Sequence, residues 1–159
     1  MLLSAISLCA IGQSVLNQKF EFYPNHTISF DTVKLKRHSF VIDSGDDVVF
    51  TLTGDVGGEP GNGSLVHYIL AFEVDSSTDS FRIHSDWYGH KAVYVQYCVC
   101  HDRGIQFVTS GTIRGKKIDE QTWWVEVDVE VKGQKTGYTY RFVESRHFIK
   151  QNKWSVPSE

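Results

Sequence analysis

The sequence predicts an all-β protein, an antiparallel β-sandwich of the jelly-roll kind, and three observations carry that expectation. From residue 20 onward, apolar and polar residues alternate in short runs, as the two faces of a half-buried strand require. Clusters of Gly, Asp, Asn and Ser interrupt those runs at intervals of about ten residues, where tight turns are needed. No segment carries a helical period. Roughly nine or ten strands, each with one apolar face to cover, leave a sandwich or a closed barrel as the economical arrangements, and the turn spacing favours the sandwich.

Taken in chain order, residues 1–14 (MLLSAISLCAIGQS) come first. This apolar run is too short to span a bilayer and suits the core of a signal peptide, with Gly12 and Ser14 as small residues at a cleavage site. No Lys or Arg precedes it, so a buried first strand over residues 3–12 is the alternative. On the first reading, residues 15–159 form one β-sandwich domain that is secreted, extracellular and free of the membrane once the signal is removed. Two N-x-S/T sequons, at Asn25 and Asn62, suit a glycoprotein.

Phe20 and Phe22 open the alternation, and Ile28 and Phe30, then Phe40 and Ile42, then Val48, Phe50 and Leu52 continue it on successive strands. A turn is expected at Asp43-Ser44-Gly45-Asp46, and the glycine-rich stretch 54–64 reads as a long surface connection. HYILAFEVD, SFRIHS, KAVYVQYCVC, GIQFVTSGTI, WWVEVDVEVKG and GYTYRFVES follow, each of strand length. The chain shows no internal repeat, which excludes a propeller or a solenoid.

At 159 residues with 41% hydrophobic and 22% charged residues, the chain is long enough for one ordinary core. A net charge of -3 supplies no positive field to draw it to nucleic acid or to anionic lipid.

Of three cysteines, Cys9 lies in the signal segment and leaves Cys98 and Cys100 as a pair. On one strand they share a face about 6.6 Å apart, near the upper limit for a disulfide. His101 beside them adds a soft ligand, but a tetrahedral site needs a fourth group and a second ligand cluster, so no metal or other cofactor is expected.

Two stretches hold candidate ligand-binding groups. In Trp123–Val131, alternation places Trp123, Val125, Val127, Val129 and Val131 on the core face, and Trp124, Glu126, Asp128 and Glu130 on the other. An indole beside carboxylates suits a sugar, whose C–H face stacks on the ring while its hydroxyls donate to the acids. The alternative is a Trp packed across strands or under a loop. In the second stretch, Arg82 and His84 face outward while Phe81 and Ile83 face inward, ahead of Trp87 and Tyr88. Arg and His there fix polar ligand atoms and Trp87 offers a plane, or else Trp87 and Tyr88 plug the end of the sandwich. Tyr94 and Gln96, outward on the next strand, extend the same surface.

The succession HSFVIDSGDDVVFTL, HYILAFEVD, FRIHSDWYGHK and an aromatic-rich late strand resembles the galectin-type lectin sandwich over residues 28–150. That resemblance implies sugar binding with His67 and Trp87 as the matching positions. The family's Arg falls near Phe72 or Glu73, its Asn near Ser85 and its Glu near His90, so three of its ligand contacts are not carried over. SFRIH followed by DEQTWWVEV is also similar to the farnesoic acid O-methyltransferase-like domain, a module of secreted proteins.

Enzymatic alternatives are weaker. Alternate acids on 126–130 stand about 6.6 Å apart, which permits a glycosidase pair but equally describes any acidic solvent face. No nucleophile elbow, P-loop, dinucleotide fingerprint or H-E-x-x-H is present. Cys100 and His101, as neighbours on a strand, point to opposite faces and form no dyad. The expectation is therefore a secreted non-enzymatic binding module for glycans, with Trp124, Trp87, Arg82, His84, His67 and Glu126 as its contacts. The alternative is a structural or protein-interaction sandwich that meets an extracellular protein through an edge strand.

Overall fold

The computed structural model describes residues 16–30, 40–57, 65–97, 101–102 and 104–154. The proposed signal segment, Asn62, Cys98 and Cys100 lie outside the described residues. Eight strands are found among those described: β1 (Leu16–Phe30), β2 (Phe40–Gly57), β3 (Leu65–Asp75), β4 (Ser80–Ile83), β5 (Val93–Tyr97), β6 (Gly104–Asp119), β7 (Thr122–Lys132) and β8 (Thr139–Lys150).

Each of seven strands pairs on both sides in the ring β1-β2-β3-β5-β6-β7-β8, which returns to β1. The fold is a closed seven-stranded β-barrel, and this corrects the expected antiparallel sandwich. The β-sandwich places two sheets face to face with open edges, whereas here β6–β7 and β1–β8 pairing removes the edges of the ring. Every junction is antiparallel except β1–β8, where Glu21 stands opposite Ile149 and Phe22 opposite Lys150 in parallel register. β4 lies outside the ring and pairs with β6 over Ile113–Lys116, on the same edge that β5 occupies over Gly104–Phe107.

Alternation fills the interior. Phe22, Phe50, Leu52, Phe72, Trp123, Val125, Val127, Val129 and Phe148 all point inward. Phe50 is fully buried, with Phe72 stacked on it at 5.2 Å and Trp123 meeting it edge-on at 5.4 Å. Burying each such ring contributes about 2 kcal/mol of hydrophobic stabilisation. Tyr68, Tyr94, Tyr140 and Phe142 continue the packing, with Tyr94 2% exposed. Tyr94 is therefore a core residue and not part of an outward binding surface: residues 93–95 of β5 are buried on both faces, and alternation there gives no sign of which face is the interior.

A second apolar cluster lies on the outside of the barrel, where Ile69, Ala71, Val93 and Val95 are covered by Ile28, Phe40 and Ile42. The far half of the β1–β2 hairpin bends over to make that cover. Pro24 and Asn25, the latter at φ 59°, start the bend, and His26 stands opposite both Ser44 and Asp47, so β2 bulges between them. The turn expected at residues 43–46 is this bulge inside a continuous strand. Gly45 permits it, because a Cβ there would come within 2.7 Å of Thr27 Cβ.

Glu73 clasps the bent hairpin to the barrel. Its side chain is 8% exposed. Oε2 accepts the Ile28 N–H at 2.9 Å and the Thr27 hydroxyl at 3.0 Å, while Oε1 meets the Lys91 ammonium at 2.8 Å. Lys91 also donates to Thr27 Oγ1, so three elements share one closed polar network. Asp102 does comparable work at the β7–β8 turn. It accepts the N–H groups of Lys135 and Thr136, the Thr136 hydroxyl and the Tyr140 hydroxyl. Burial would raise its pKa, but these donors outweigh burial and hold the carboxyl down at about 2.

Glu73→Ala leaves the buried Ile28 N–H without its acceptor and takes the carboxylate from the part-exposed Lys91 ammonium, and is expected to lower unfolding free energy by about 2 kcal/mol. Urea unfolding measures it, and an unchanged midpoint would show that the hairpin holds without the clasp. For Asp102 the folded pKa lies below the unfolded one, so its stabilisation is present above about pH 4 and disappears as pH falls through about 2. Asp102→Asn should therefore cost about 2 kcal/mol near pH 7, with the gap to the parent protein closing near pH 2. A gap independent of pH would rule out the charged form as the stabilising species.

Candidate functional site

The six residues singled out in the sequence fall in three places. Trp124 and Glu126 lie on the outer face of β7, and Arg82 joins them through the register Arg82–Arg114–Glu126 across β4, β6 and β7. His84 follows β4 and is exposed. Trp87, in the β4–β5 connection, packs against the barrel core. His67 projects from the outer face of β3, on the far side of the ring from β7. One shared platform for Trp87 and Trp124 is thus not built.

The outer face of β6, β7 and β8 is largely satisfied from within. Arg114 donates to Glu126, and that bond, ahead of burial, holds the Glu126 carboxyl below its usual range. Arg141 binds Asp128 through two N–H···O contacts of 3.1 Å, and Ser110 donates to Glu130 at 2.8 Å. The Trp124 ring stands edge-on to His147, with centroids 4.9 Å apart. The depression over Asp128, Glu130 and Arg141 is wide and shallow, and its charges already have partners.

A more enclosed cavity of about 270 Å³ opens on the outside of β1, β2 and β3. It falls just below the roughly 300–1,000 Å³ usual for small-ligand pockets. Alternation builds its floor: Phe20 and Phe22 go inward, so Lys19, Glu21 and Tyr23 go outward, with Thr53 and Asp55 beside them on β2 and His67 on β3. The fourth side comes from the chain after β8. The Gln151 N–H donates to the Phe22 carbonyl at 2.8 Å, which carries Gln151, Lys153 and Trp154 across β1.

Polar order in the cavity is tight. His67 Nδ1 lies 2.8 Å from Asp55 Oδ1, and Asn17 donates to Asp55 Oδ2 at 3.0 Å. The bond from Asn17, then the bond from His67, hold the Asp55 carboxyl below its ordinary pKa, so it is ionised and the proton sits on Nδ1. Tyr23 donates to Glu21 Oε2 at 2.8 Å, and burial followed by that bond pushes its hydroxyl pKa up. Trp154 meets Tyr23 at 5.6 Å and 85° and lies over Phe40 at 6.3 Å and 26°. Two nitrogens here are buried without a partner: His67 Nε2 and Trp154 Nε1.

Of the cavity's residues, His67 alone was a candidate in the sequence. Asn17, Lys19, Glu21 and Tyr23 were given no role there. Asp55 fell in the glycine-rich stretch taken for a connection, and Trp154 stood isolated in the tail. The spacing of polar residues on β1 and the lone tail indole were the available signals, and neither indicates that the two meet.

Asn17→Ala removes the first support of the Asp55 carboxylate, so Asp55 should titrate at higher pH than in the parent protein. Carboxyl carbon shifts followed by NMR across the acid range measure this, and an unmoved titration would dismiss the Asn17 bond. Comparison with protein-family models, with curated proteins and with solved structures returns no match to this chain.

Proposed function

We propose that the chain is a non-enzymatic, extracellular binding module that takes a small saccharide in the cavity beside His67. The observation that carries this reading is the part-exposed Trp154, backed edge-on by the buried Tyr23, which lines a cavity of about 270 Å³ together with the Asn17–Asp55–His67 network. An aromatic side chain beside fixed amide, imidazole and carboxylate groups is the combination that suits a pyranose, since it presents C–H faces and a rim of hydroxyls. The Trp124 face fits less well, because its acids are engaged by Arg114 and Arg141.

Strand addition by a protein partner is the second reading: among the described residues β1 and β8 pair with each other over two residues only, and β4, with a single neighbour, is four residues long. The cavity is the better-formed feature.

Titration of tryptophan fluorescence and of amide NMR shifts with a panel of neutral and acidic monosaccharides tests the reading. Saturable binding is expected, weakened about tenfold by His67→Ala and by Trp154→Leu and left intact by Trp124→Ala. Binding abolished by Trp124→Ala and untouched by the two cavity variants would move the site to β7. No response to any saccharide would overturn the proposal.

A further inference from the structure

The donors and acceptors of the cavity are unequally occupied. Both oxygens of Asp55 are taken, by His67 and by Asn17, and Glu21 Oε2 is taken by Tyr23. These three oxygens meet donors supplied by the protein itself, while His67 Nε2 is buried without a partner. The ammonium groups tell the opposite story: Lys19 and Lys153 both border the cavity, and neither closes an ion pair among the described residues. Trp154 Nε1, a donor in every protonation state, is buried with no acceptor.

After the bonds from Asn17 and His67, Lys19 helps electrostatically to hold the Asp55 carboxyl down, yet neither carboxylate pairs directly with a lysine. They are instead oriented by hydrogen bonds within the floor, Asp55 toward β3 and the start of β1, and Glu21 toward Tyr23. Lys19 on β1 and Lys153 after β8 approach from two different elements, so a ligand between them meets positive charge from both. We infer that the saccharide bound here is an acidic one, carrying a carboxylate or a sulfate ester that the Lys19 and Lys153 ammoniums receive. This rests on the saccharide reading above and adds the charge of the ligand to it. A charged acceptor makes a stronger hydrogen bond with an ammonium than a sugar hydroxyl does, which gives the preference its physical basis. Both lysines are exposed, so the preference is also salt-dependent.

The test compares glucose, glucuronate and glucose 6-sulfate against the intact chain and against Lys19→Gln and Lys153→Gln, by calorimetry at low and high salt. Neither substitution touches the core, so loss of the fold does not confuse the result. The expected result is that at least one acidic sugar binds about tenfold more tightly than glucose, with either substitution removing most of that margin. The two acidic sugars distinguish carboxylate from sulfate recognition. High salt should narrow the margin and leave glucose affinity unchanged. If glucose binds as well as both acidic sugars, or the margin survives both substitutions, the charge preference is overturned while the saccharide site stands. If no sugar binds, the saccharide reading fails and the preference with it.

Discussion

Closure between the first and last strands is the constraint on which both the core and the cavity depend. A ring of strands in which every neighbour is antiparallel needs an even number of members. This ring has seven, so one junction must be parallel, and it falls between β1 and β8. The junction is short, with two residue pairs in register, and is extended by the Gln151 N–H on the Phe22 carbonyl. Closing there brings Phe148 against Phe20 and Phe50 inside the barrel, at 5.5 and 5.8 Å. It also sends the chain after β8 across the outside of β1. The same event that seals the hydrophobic interior therefore places Trp154 over Tyr23 and completes the cavity wall.

Seven strands enclose a space that aromatic side chains fill, so the proposed ligand would be met on the exterior. The exterior is not uniform. Between β1 and β5 it is apolar and needs cover, and the bent hairpin provides it through Ile28, Phe40 and Ile42. That arrangement places a carboxylate, Glu73, beneath the cover, which would be costly if unpaired. It is tolerated because Ile28, Thr27 and Lys91 occupy both of its oxygens. Polar satisfaction at Glu73 and apolar burial at Ile28 are thus two parts of one local solution, and the bulge at Gly45 supplies the geometry for both.

Much of this was legible in the sequence, and the failures share one cause. Trp123, Val125, Val127, Val129 and Val131 were read inward, and all are buried; Arg82 was read outward, and it is exposed. Period-two alternation determines which residues share a face. It does not determine which strands are neighbours, and a sandwich and a barrel have the same alternation, so the architecture was misread. Tyr94 failed for a related reason, since β5 is covered on one side by the barrel interior and on the other by the hairpin. The Asp43–Asp46 segment has the composition of a turn, yet here its small residues serve a bulge that leaves the strand intact. The cavity was the least legible feature, because it joins residue 17 to residue 154 through long-range pairing.

The contrast between the two outer faces bears on how a binding site is recognised. Composition draws attention to β7, where a Trp stands among three acids. In three dimensions those acids face arginines and a serine on β6 and β8, so a ligand would have to break existing ion pairs before making its own contacts. Around His67 the order is reversed. The internal bonds occupy both oxygens of Asp55 and one of Glu21 and orient the floor, while the two ammoniums at its border close no ion pair among the described residues. Binding competence follows from the groups a fold leaves unpaired more than from the groups a sequence concentrates. By that criterion the weaker sequence signal, a polar β1 face and a solitary Trp154, marks the better site.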